Sequence, residues 1–278
     1  MDRWRLIESG FDSGPVNMAL DEAISDAVTA GRQPPTLRLY GWKPPAISLG
    51  YHQDIDDGID HDAARERGYD IVRRPTGGRA ILHSTELTYS FSIRQDEIAG
   101  GQSVMKSYRE ISRGIIAGLA LIGARVSLGP DQQRADEEDA STDAARAICF
   151  AKTARCDLQA AGRKVVGSAQ VRRDGGILQH GSIPIEIDLE DQIAVMPGAD
   201  DRTARRVLAG AAMSVNELLG RPVSYKELSE AVARGFADTF AVTLVPEALS
   251  DEEQAHAQML HDTKYSSAEW NERAPARG

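Results

Sequence analysis

Three segments of the chain carry residues whose types and spacing could do chemistry. The first, Arg73–His83, combines arginines with a Gly-Gly pair, the second contains Cys149, and the third, Gly162–Gln170, contains Lys164. An ionised thiol is a strong nucleophile, and a neighbouring ammonium group favours the thiolate. Lys164 follows Cys149 by fifteen positions, across one predicted strand and a turn, so the two side chains could meet in space.

The arginine-glycine segment is predicted to be a turn between two strands. Ile71-Val72 reads as the end of the first strand, and the alternation from Leu87 to Ile93 is typical of a half-buried second strand. Gly77 and Gly78 would let the backbone approach a ligand, and N–H groups in such a turn can hold an anion or a carbonyl oxygen. A Gly-Gly turn is also common in plain hairpins, so the segment alone does not decide between the two readings.

Small residues lie on the strand that contains Lys164. Gly167, Ser168 and Ala169 add little packing to a strand, and they fit a position where a ligand lies against the sheet. Gln179–Ser182 follows on the next predicted strand.

Hydrophobic periodicity predicts the elements that position these segments. The predicted helices are Ser13–Ala30, 60–67, 104–122, 225–240 and a last helix that starts with a Ser250/Glu253 capping box. The predicted strands include 36–42, 46–51 and a meander over 157–160, 164–173 and 177–187 with turns at Gly162 and Asp174-Gly175-Gly176. Strands followed by helices indicate an α+β fold.

An acidic stretch separates the second segment from the helix before it. Residues 129–146 contain six acidic residues and no large apolar one. Two interpretations remain open: a mobile loop that covers a site, or a disordered surface insertion.

Composition excludes several classes of protein. The 278 residues carry a formal net charge of -10, which disfavours a nucleic-acid binder. No stretch reaches the roughly 20 apolar residues of a membrane helix, and the first residues do not resemble a signal peptide, so we expect a cytoplasmic protein without a membrane partner. Two cysteines and six histidines show no metal-ligand spacing. We therefore predict no metal site.

Several motifs in order resemble the catalytic domain of biotin and lipoate protein ligases. Within that family the chain is most similar to the bacterial octanoyltransferases that start protein lipoylation. The motifs are Asn17–Glu22, Tyr40-Gly41-Trp42, Ser48–Tyr51, Arg73–His83, Gly162–Gln170, Gln179–Ser182, Thr263-Lys264-Tyr265 and Glu269-Trp270-Asn271. They cover nearly the whole chain.

The resemblance implies a fold and a reaction. The fold would be a mixed or antiparallel central sheet flanked by helices, with an N-terminal helix in residues 1–30, a catalytic domain over 31–248 and a C-terminal helix and tail over 249–278. The reaction would be transfer of octanoyl from octanoyl-acyl carrier protein, by way of a cysteine thioester, to a lysine of a lipoyl domain or of the glycine cleavage H protein. No cofactor would be needed, and we expect a monomer.

The resemblance also implies roles for individual residues. By motif position Cys149 would carry the acyl chain and Lys164 would tune the thiol. The expected substrate-binding residues are Arg73, Arg74, Thr76, Gly77, Gly78, Arg79, His83, Gly167, Ser168, Ala169, Gln170, His180 and Gly181.

One segment departs from the family pattern. The family has a proline, a serine and a tyrosine-glutamate pair after Cys-Phe, whereas this chain reads Ala-Lys-Thr-Ala-Arg-Cys-Asp over 151–157. A second thiol, Cys156, therefore lies close in sequence to the first. Counting back from Lys164 favours Cys149 as the nucleophile and a structural role for Cys156, although a buried, inert thiol is the alternative reading of Cys149.

Other functions stay open on sequence grounds. A lipoate–protein ligase of the same fold would activate lipoate with ATP and Mg²⁺ and would need no cysteine. Octanoate transfer between carrier proteins would also use a thiol, and an acyl-binding scaffold would use neither reaction. The cysteine upstream of the lysine motif favours the transferase.

Basic residues in the motif segments suggest a docking surface for the acidic donor. We expect a local basic rim that receives the carrier and its phosphopantetheine, formed by Arg73, Arg74, Arg79, Arg163, Lys164, Arg172 and Arg173. The alternative is solvated charge on edge strands.

Overall fold

An eight-stranded mixed sheet is the framework of the chain in a computed structural model that describes residues 2–55, 58–129, 157–195 and 201–272. The strands of the described chain are β1 (Arg3–Asp12), β2 (Thr36–Trp42), β3 (Ala46–Leu49), β4 (Asp70–Arg73), β5 (Ile81–His83), β6 (Glu86–Arg94), β7 (Ser127–Leu128), β8 (Leu158–Ala160), β9 (Arg163–Arg173), β10 (Gly176–Pro184) and β11 (Thr243–Pro246). The large sheet has the order β11-β1-β2-β6-β10-β9-β8-β7, and a small sheet has the order β4-β3-β5.

Helices surround the two sheets. They are α1 (Gly14–Thr29), α2 (His61–Glu66), α3 (Val104–Leu121), α4 (Leu189–Ala194), α5 (Asp201–Ala211), α6 (Val215–Leu219), α7 (Tyr225–Phe240), α8 (Asp251–Leu260) and α9 (Ala268–Asn271), with a π-helical turn over His261–Tyr265. In the large sheet, β1 pairs in parallel with β2 and β11, whereas β2, β6, β10 and β9 pair antiparallel. This mixed sheet with flanking helices confirms the expected α+β fold.

The main core lies between one face of the large sheet and the helices α3 and α7. Alternate residues of β2 and β6, such as Leu37 and Phe91, pack there against Ile115 and Phe236. The helices approach closely because they meet at glycines. A Cβ added to Gly235 would lie 2.5 Å from the Cα of Gly118, well inside ordinary contact distance.

The opposite face of the large sheet is covered by α1 and the small sheet. Met18 and Ala23 of α1 pack with Tyr40, Val72 and Leu260 in a second apolar cluster. The middle of α1 also buries polar side chains against the sheet. The space between this face and the small sheet is where the candidate site lies.

Most predicted elements are confirmed. The strand over 36–42, the helix over 60–67, the helix from 104, the stripe over 225–240 and the three-stranded meander are all present, and the Ser250/Glu253 capping box forms. Residues 130–156 lie outside the described residues. The acidic stretch beyond Gly129 and both cysteines therefore stay predictions, as do the domain limits at 30/31 and 248/249.

Two expectations were wrong or incomplete. The Arg73–His83 segment lies between two strands, as predicted, but it is more than a turn, because β4 before it belongs to the small sheet and β6 after it belongs to the large one. The segment crosses from one sheet to the other and includes β5. Sequence reasoning also missed β1 and β11, which complete one edge of the large sheet.

Candidate functional site

A cavity of about 230 Å³ lies between the large sheet, the small sheet and α1. Its lining includes ten of the residues expected at the site: Arg74, Gly78, Arg79, His83, Lys164, Gly167, Ser168, Ala169, His180 and Gly181. It also includes residues that the sequence analysis did not assign to the site: Met18, Tyr40, Trp42, Ser48, Ile81, Thr88, Asp157 and Ser182. Both polar and apolar groups therefore surround a space suited to a small, largely apolar ligand.

The open face of the sheet depends on residues with little or no side chain. A Cβ added to Gly181 would lie 2.7 Å from the carbonyl oxygen of Gly167 and 2.7 Å from the ring of Tyr89. Gly167 stands opposite Ser182 in the antiparallel pairing of β9 with β10. A larger residue at position 181 would push into its neighbours, so this strand position requires glycine.

Lys164 places a buried cation in the wall of the cavity. Its Nζ lies 3.1 Å from Oδ2 of Asp157, and the two side chains are 7% and 1% exposed. Both residues belong to the β8–β9 region, where Asp157 directly precedes β8. A buried cation requires such a partner because desolvation of an isolated charge is costly. The carboxylate thus holds the ammonium group in the wall of the cavity.

Arg73 holds the arginine-glycine segment from behind and does not line the cavity. Its guanidinium donates to the carbonyl oxygens of Gly50 at 2.8 Å, Gln53 at 2.6 Å and Asn271 at 3.0 Å. Its backbone N–H donates to Oδ1 of Asn271 at 2.8 Å, and Nε1 of Trp270 donates to its carbonyl oxygen at 2.8 Å. The C-terminal segment therefore fixes the start of the motif.

Arg74 shapes the loop that faces the cavity. Its guanidinium donates to the carbonyl oxygens of Ser48, Gly77 and Arg79 at 2.7, 2.8 and 2.7 Å. Gly78 has a φ of +98°, in the region that favours glycine. Gly50 passes so close beneath the loop that an added Cβ would lie 2.7 Å from the carbonyl carbon of Gly78. The loop is therefore positioned by one arginine and by close backbone contact.

His180 belongs to a buried polar chain that reaches into α1. Its Nε2 lies 2.6 Å from Oγ1 of Thr76, and its Nδ1 lies 3.1 Å from Oδ2 of Asp21. Arg38 donates to Oδ1 of Asp21 at 2.7 Å, and the hydroxyl of Tyr40 donates to Oδ2 at 2.9 Å. Thr76 is not among the lining residues, but its hydroxyl contacts His180, which lines the cavity.

Burial and hydrogen bonding set the charge states in this chain. Burial alone would raise the pKa of Asp21, but the hydrogen bond with His180 and the charge of Arg38 outweigh it and hold the Asp21 pKa below its ordinary value. Burial lowers the pKa of His180 below 6.5 despite the opposing carboxylate. A neutral His180 donates from Nδ1 to Asp21 and accepts at Nε2 from Thr76.

His83 lies in a second polar chain on the other side of the cavity. Its Nε2 lies 2.8 Å from Oγ of Ser48, and its Nδ1 lies 2.9 Å from Oε1 of Glu86. Oε2 of Glu86 accepts from Oγ of Ser182 at 2.7 Å. The ring of His83 stacks on Trp42, with centroids 4.1 Å apart. The imidazole is therefore held by contacts on its edges and its face.

Two further expected residues lie beside the cavity and not in its lining. Gly77 and Gln170 both line a neighbouring groove that also contains Arg172, Arg173 and Trp270. The side chain of Gln170 donates to Oε1 of Gln179 at 3.1 Å.

The expected basic rim is largely wrong as a surface feature. Arg73 and Arg74 are 0% and 4% exposed, because their guanidinium groups hold the motif backbone. Arg163 faces another cleft, where it donates to the carboxylate of Glu217 and to the carbonyl oxygen of Ala212 at 2.9 Å. Lys164 is buried in the cavity wall, and Nε and Nη2 of Arg172 are buried as well. The rim is reduced to Arg79 and Arg173, and its role stays a prediction.

The missed residues left only weak signals in the sequence. Asn17 and Asp21 are polar residues four positions apart, on the same side of α1 as apolar residues such as Leu20 and Ile24, and both are 0% exposed. A polar pair on the buried face of a helix indicates a buried network. Ser48 and Glu86 gave no local signal, because their roles depend on contacts between the two sheets.

The described ranges show neither a metal cluster nor a membrane-spanning helix. None of these ranges contains a group of three or more His, Cys, Asp or Glu side chains placed to hold a metal ion. None of their helices is both long and apolar enough to cross a membrane.

Solved structures share this fold. An archaeal bipartite lipoate protein ligase from Thermoplasma acidophilum matches with a TM-score of 0.80 at 22% identity, covering 100% of this chain and 99% of that one. A lipoate-protein ligase A bound with ATP matches with a TM-score of 0.77 at 25% identity, covering 98% and 99%.

Sequence relatives are closer. The octanoyltransferase LipM of Symbiobacterium thermophilum is 46% identical over 273 residues, which cover 97% of this chain and 98% of that protein. The octanoyltransferase LipM of Kyrpidia tusciae is 42% identical over 277 residues, covering 98% and 100%. The sequence profile of the lipoyl protein ligase A/B catalytic domain matches residues 13–237. This agrees with the resemblance drawn from the motifs, and the chain belongs to the lipoyl protein ligase A/B catalytic domain family.

Proposed function

We propose that the protein transfers an octanoyl group to the lysine of a lipoyl domain, with acyl carrier protein as the donor. The two relatives above 40% identity are named octanoyltransferases and match over almost their full length. The observation that carries the proposal is the cavity, in which a glycine-lined sheet surface for an acyl chain lies beside the buried ammonium group of Lys164.

The first half-reaction exchanges one thioester for another. The thiolate of Cys149 attacks the octanoyl thioester, and the carrier thiolate leaves. A free cysteine has a pKa of about 8.5, so only a small fraction is ionised at neutral pH. A cation lowers that pKa when it lies near the sulfur. Lys164 has this role in the proposal, and Oδ2 of Asp157 holds its Nζ in place at 3.1 Å.

The second half-reaction forms an amide. The neutral ε-amine of the acceptor lysine attacks the acyl-cysteine, the bond to the sulfur breaks, and the sulfur takes the proton that the amine loses. Conversion of a thioester into an amide is downhill, so the proposal requires no nucleotide and no cofactor. Backbone N–H groups of the Arg74–Arg79 loop are candidates to stabilise the oxyanion, since this loop borders the cavity.

Intact mass spectrometry tests the mechanism. The protein is mixed with octanoyl-acyl carrier protein, without nucleotide, and its mass is compared with that of Cys149→Ala and Cys156→Ala. We expect an octanoyl thioester adduct, which neutral hydroxylamine removes, on the native chain and on Cys156→Ala, and no adduct of this kind on Cys149→Ala. The two variants are matched, because each removes one of the chain's two thiols.

The same samples separate the competing functions. Addition of an unmodified lipoyl domain should convert the adduct into octanoylated acceptor. Strict dependence of acceptor modification on ATP and Mg²⁺, with no protein adduct, would instead assign the chain to the adenylating ligases. An adduct lost only in Cys156→Ala would move the nucleophile to the second thiol.

The remaining properties belong to the same proposal. We infer a monomeric, cytoplasmic enzyme. Size-exclusion chromatography with light scattering at several concentrations checks the first point, and fractionation of the producing cell checks the second.

A further inference from the structure

Ser48, His83 and Glu86 form a hydrogen-bonded chain that the proposed transfer does not use. Oγ of Ser48 lies 2.8 Å from Nε2 of His83, and Nδ1 of His83 lies 2.9 Å from Oε1 of Glu86. The three residues are 1%, 5% and 4% exposed. Ser48 and His83 both line the cavity. A hydroxyl, an imidazole and a carboxylate in this order can activate the hydroxyl as a nucleophile.

The charge state of Glu86 fixes the direction of the chain. Burial alone would raise the pKa of Glu86. The charge of His83 and the hydrogen bonds from His83, Thr88 and Ser182 outweigh this effect and keep the pKa below 4.5. Glu86 is therefore an ionised acceptor at neutral pH. In the tautomer of His83 that donates from Nδ1 to this carboxylate, Nε2 is the nitrogen that can accept from the hydroxyl of Ser48.

A cation lies beside the same hydroxyl. Arg74 donates from Nη1 to Oγ of Ser48 at 3.0 Å and to its carbonyl oxygen at 2.7 Å. A buried guanidinium stabilises negative charge that develops on the serine oxygen. Arg74 thus supports ionisation of Ser48, while His83 is placed to take the proton.

The arrangement is specific to one serine. Three serines line the cavity among the described residues: Ser48, Ser168 and Ser182. Oγ of Ser168 lies 2.8 Å from the hydroxyl of Tyr89, and Ser182 donates directly to Glu86. Ser48 is the one that contacts a histidine. Trp42 stacks on that histidine and restricts its ring to the orientation that faces Ser48.

We propose that Ser48 is a second nucleophile, which gives the protein a hydrolytic activity on medium-chain acyl esters and thioesters. The acyl specificity rests on the proposed function, because it assigns the cavity to an octanoyl chain. Oγ of Ser48 attacks the carbonyl carbon while its proton passes to Nε2 of His83. The bond to the leaving alcohol or thiol then breaks, and the leaving group takes that proton.

Water completes the cycle. It attacks the acyl-Ser48 ester and gives one proton to His83, the ester bond to Oγ breaks, and Oγ recovers the proton as the free acid leaves. No oxidant, reductant or metal is needed. An acyl group that is not passed to an acceptor would be released in this way.

The test uses the full chain with both thiols removed, Cys149→Ala/Cys156→Ala, so that cysteine chemistry cannot contribute. The probes are p-nitrophenyl octanoate and an octyl fluorophosphonate, which loses fluoride when a serine oxygen attacks its phosphorus. We expect release of p-nitrophenol and one phosphonate adduct, which peptide mapping places on Ser48. Added Ser48→Ala should abolish the adduct, and added Glu86→Gln should slow labelling by about 100-fold or more.

Ser90→Ala is the matched control. Ser90 is 1% exposed, has no hydrogen-bond partner for its hydroxyl within the described ranges, and is not among the described residues that line the cavity. Its removal should leave hydrolysis and labelling unchanged. If Ser48→Ala fails to fold, the mapped adduct in the thiol-free protein still decides the question, because that protein retains Ser48.

Each outcome has a definite meaning. An adduct on another residue, or none on a folded thiol-free protein, would overturn the proposal, as would hydrolysis that survives Ser48→Ala in folded protein. Failure of the native chain to octanoylate a lipoyl domain would refute the proposed function instead, and it would leave a mapped Ser48 adduct standing.

Discussion

Replacing Gly50 with alanine should displace the loop that borders the cavity. The added Cβ would lie 2.7 Å from the carbonyl carbon of Gly78, and closer still to its oxygen, whereas ordinary contact begins at 3.4 Å. The loop must therefore move by at least about 0.7 Å. Overpacking of this kind costs about 1–3 kcal/mol, and misplacement of catalytic groups by about 1 Å can slow a reaction about 100-fold.

Calorimetry and a transfer assay measure the two effects separately. We expect the melting temperature of Gly50→Ala to fall by roughly 2–12 °C, and acyl transfer to fall by roughly 10- to 100-fold in protein that is still folded. Acyl transfer should fall because the displaced residue, Gly78, lines the cavity, although the substituted residue, Gly50, is not among its lining residues.

Gly77→Ala is the matched control for the Gly50 variant. Gly77 precedes Gly78 in the loop that Gly50 contacts, its φ is not in the left-handed region, and a Cβ there would meet nothing within 4 Å. Its stability should stay within about 0.5 kcal/mol of the native protein, and its activity should fall far less than that of Gly50→Ala. Equal losses in both variants would refute the steric argument, as would native activity in Gly50→Ala.

Two further predictions concern stability. Glu253→Gln removes the charged partner of Arg5, and both side chains of this pair are 1% exposed. The free energy of unfolding, measured in urea, should therefore fall by about 3–5 kcal/mol. Glu252 forms an exposed pair with Arg32, so the control Glu252→Gln should change that free energy by less than about 1 kcal/mol. Similar losses in both would contradict this. Acidification should lower stability, because the pKa values of Asp21, Glu86 and His180 lie below their unfolded values of 3.8, 4.5 and 6.5, so the unfolded chain binds more protons. The loss of stability should begin as the pH falls through about 6.5 and should steepen below about 4.5. It should be smaller in folded Glu86→Gln. Urea titrations from pH 7.5 to 3.5 measure this loss, and a rise in stability on acidification would contradict the prediction.

Local patterns predicted the elements where one rule acted alone. The apolar stripe of α7 and the alternation of β6 each follow from a single period, and both elements are present as predicted. β1 was missed because Arg5 and the polar residues from Glu8 to Ser9 interrupt its alternation. Its stability comes from pairing with β2 and with the distant β11, and from the ion pair of Arg5 with Glu253. Such long-range contacts have no local signature.

The site shows the same division between local and distant causes. Motif position predicted that Lys164 and the small residues of β9 would line one cavity. It did not predict that Arg73 would be buried, because the partners of that guanidinium come from Gln53 and from the C-terminal Asn271. Arginine was interpreted as a ligand-binding cation, whereas here its donors satisfy backbone carbonyls that would otherwise be buried without partners. Sequence spacing cannot distinguish these two uses.

The anchoring of Arg73 by Trp270 and Asn271 has a consequence for biosynthesis. The contacts join positions separated by 197 and 198 residues. A ribosome adds about 5–20 residues per second, so roughly 10–40 s pass between the synthesis of the two partners. During that interval the emerging chain lacks the groups that hold the start of the arginine-glycine segment. A nascent polypeptide would thus be unable to fix the start of the arginine-glycine segment until Trp270 and Asn271 had been synthesised and had emerged, so shorter nascent chains would lack a fully assembled pocket.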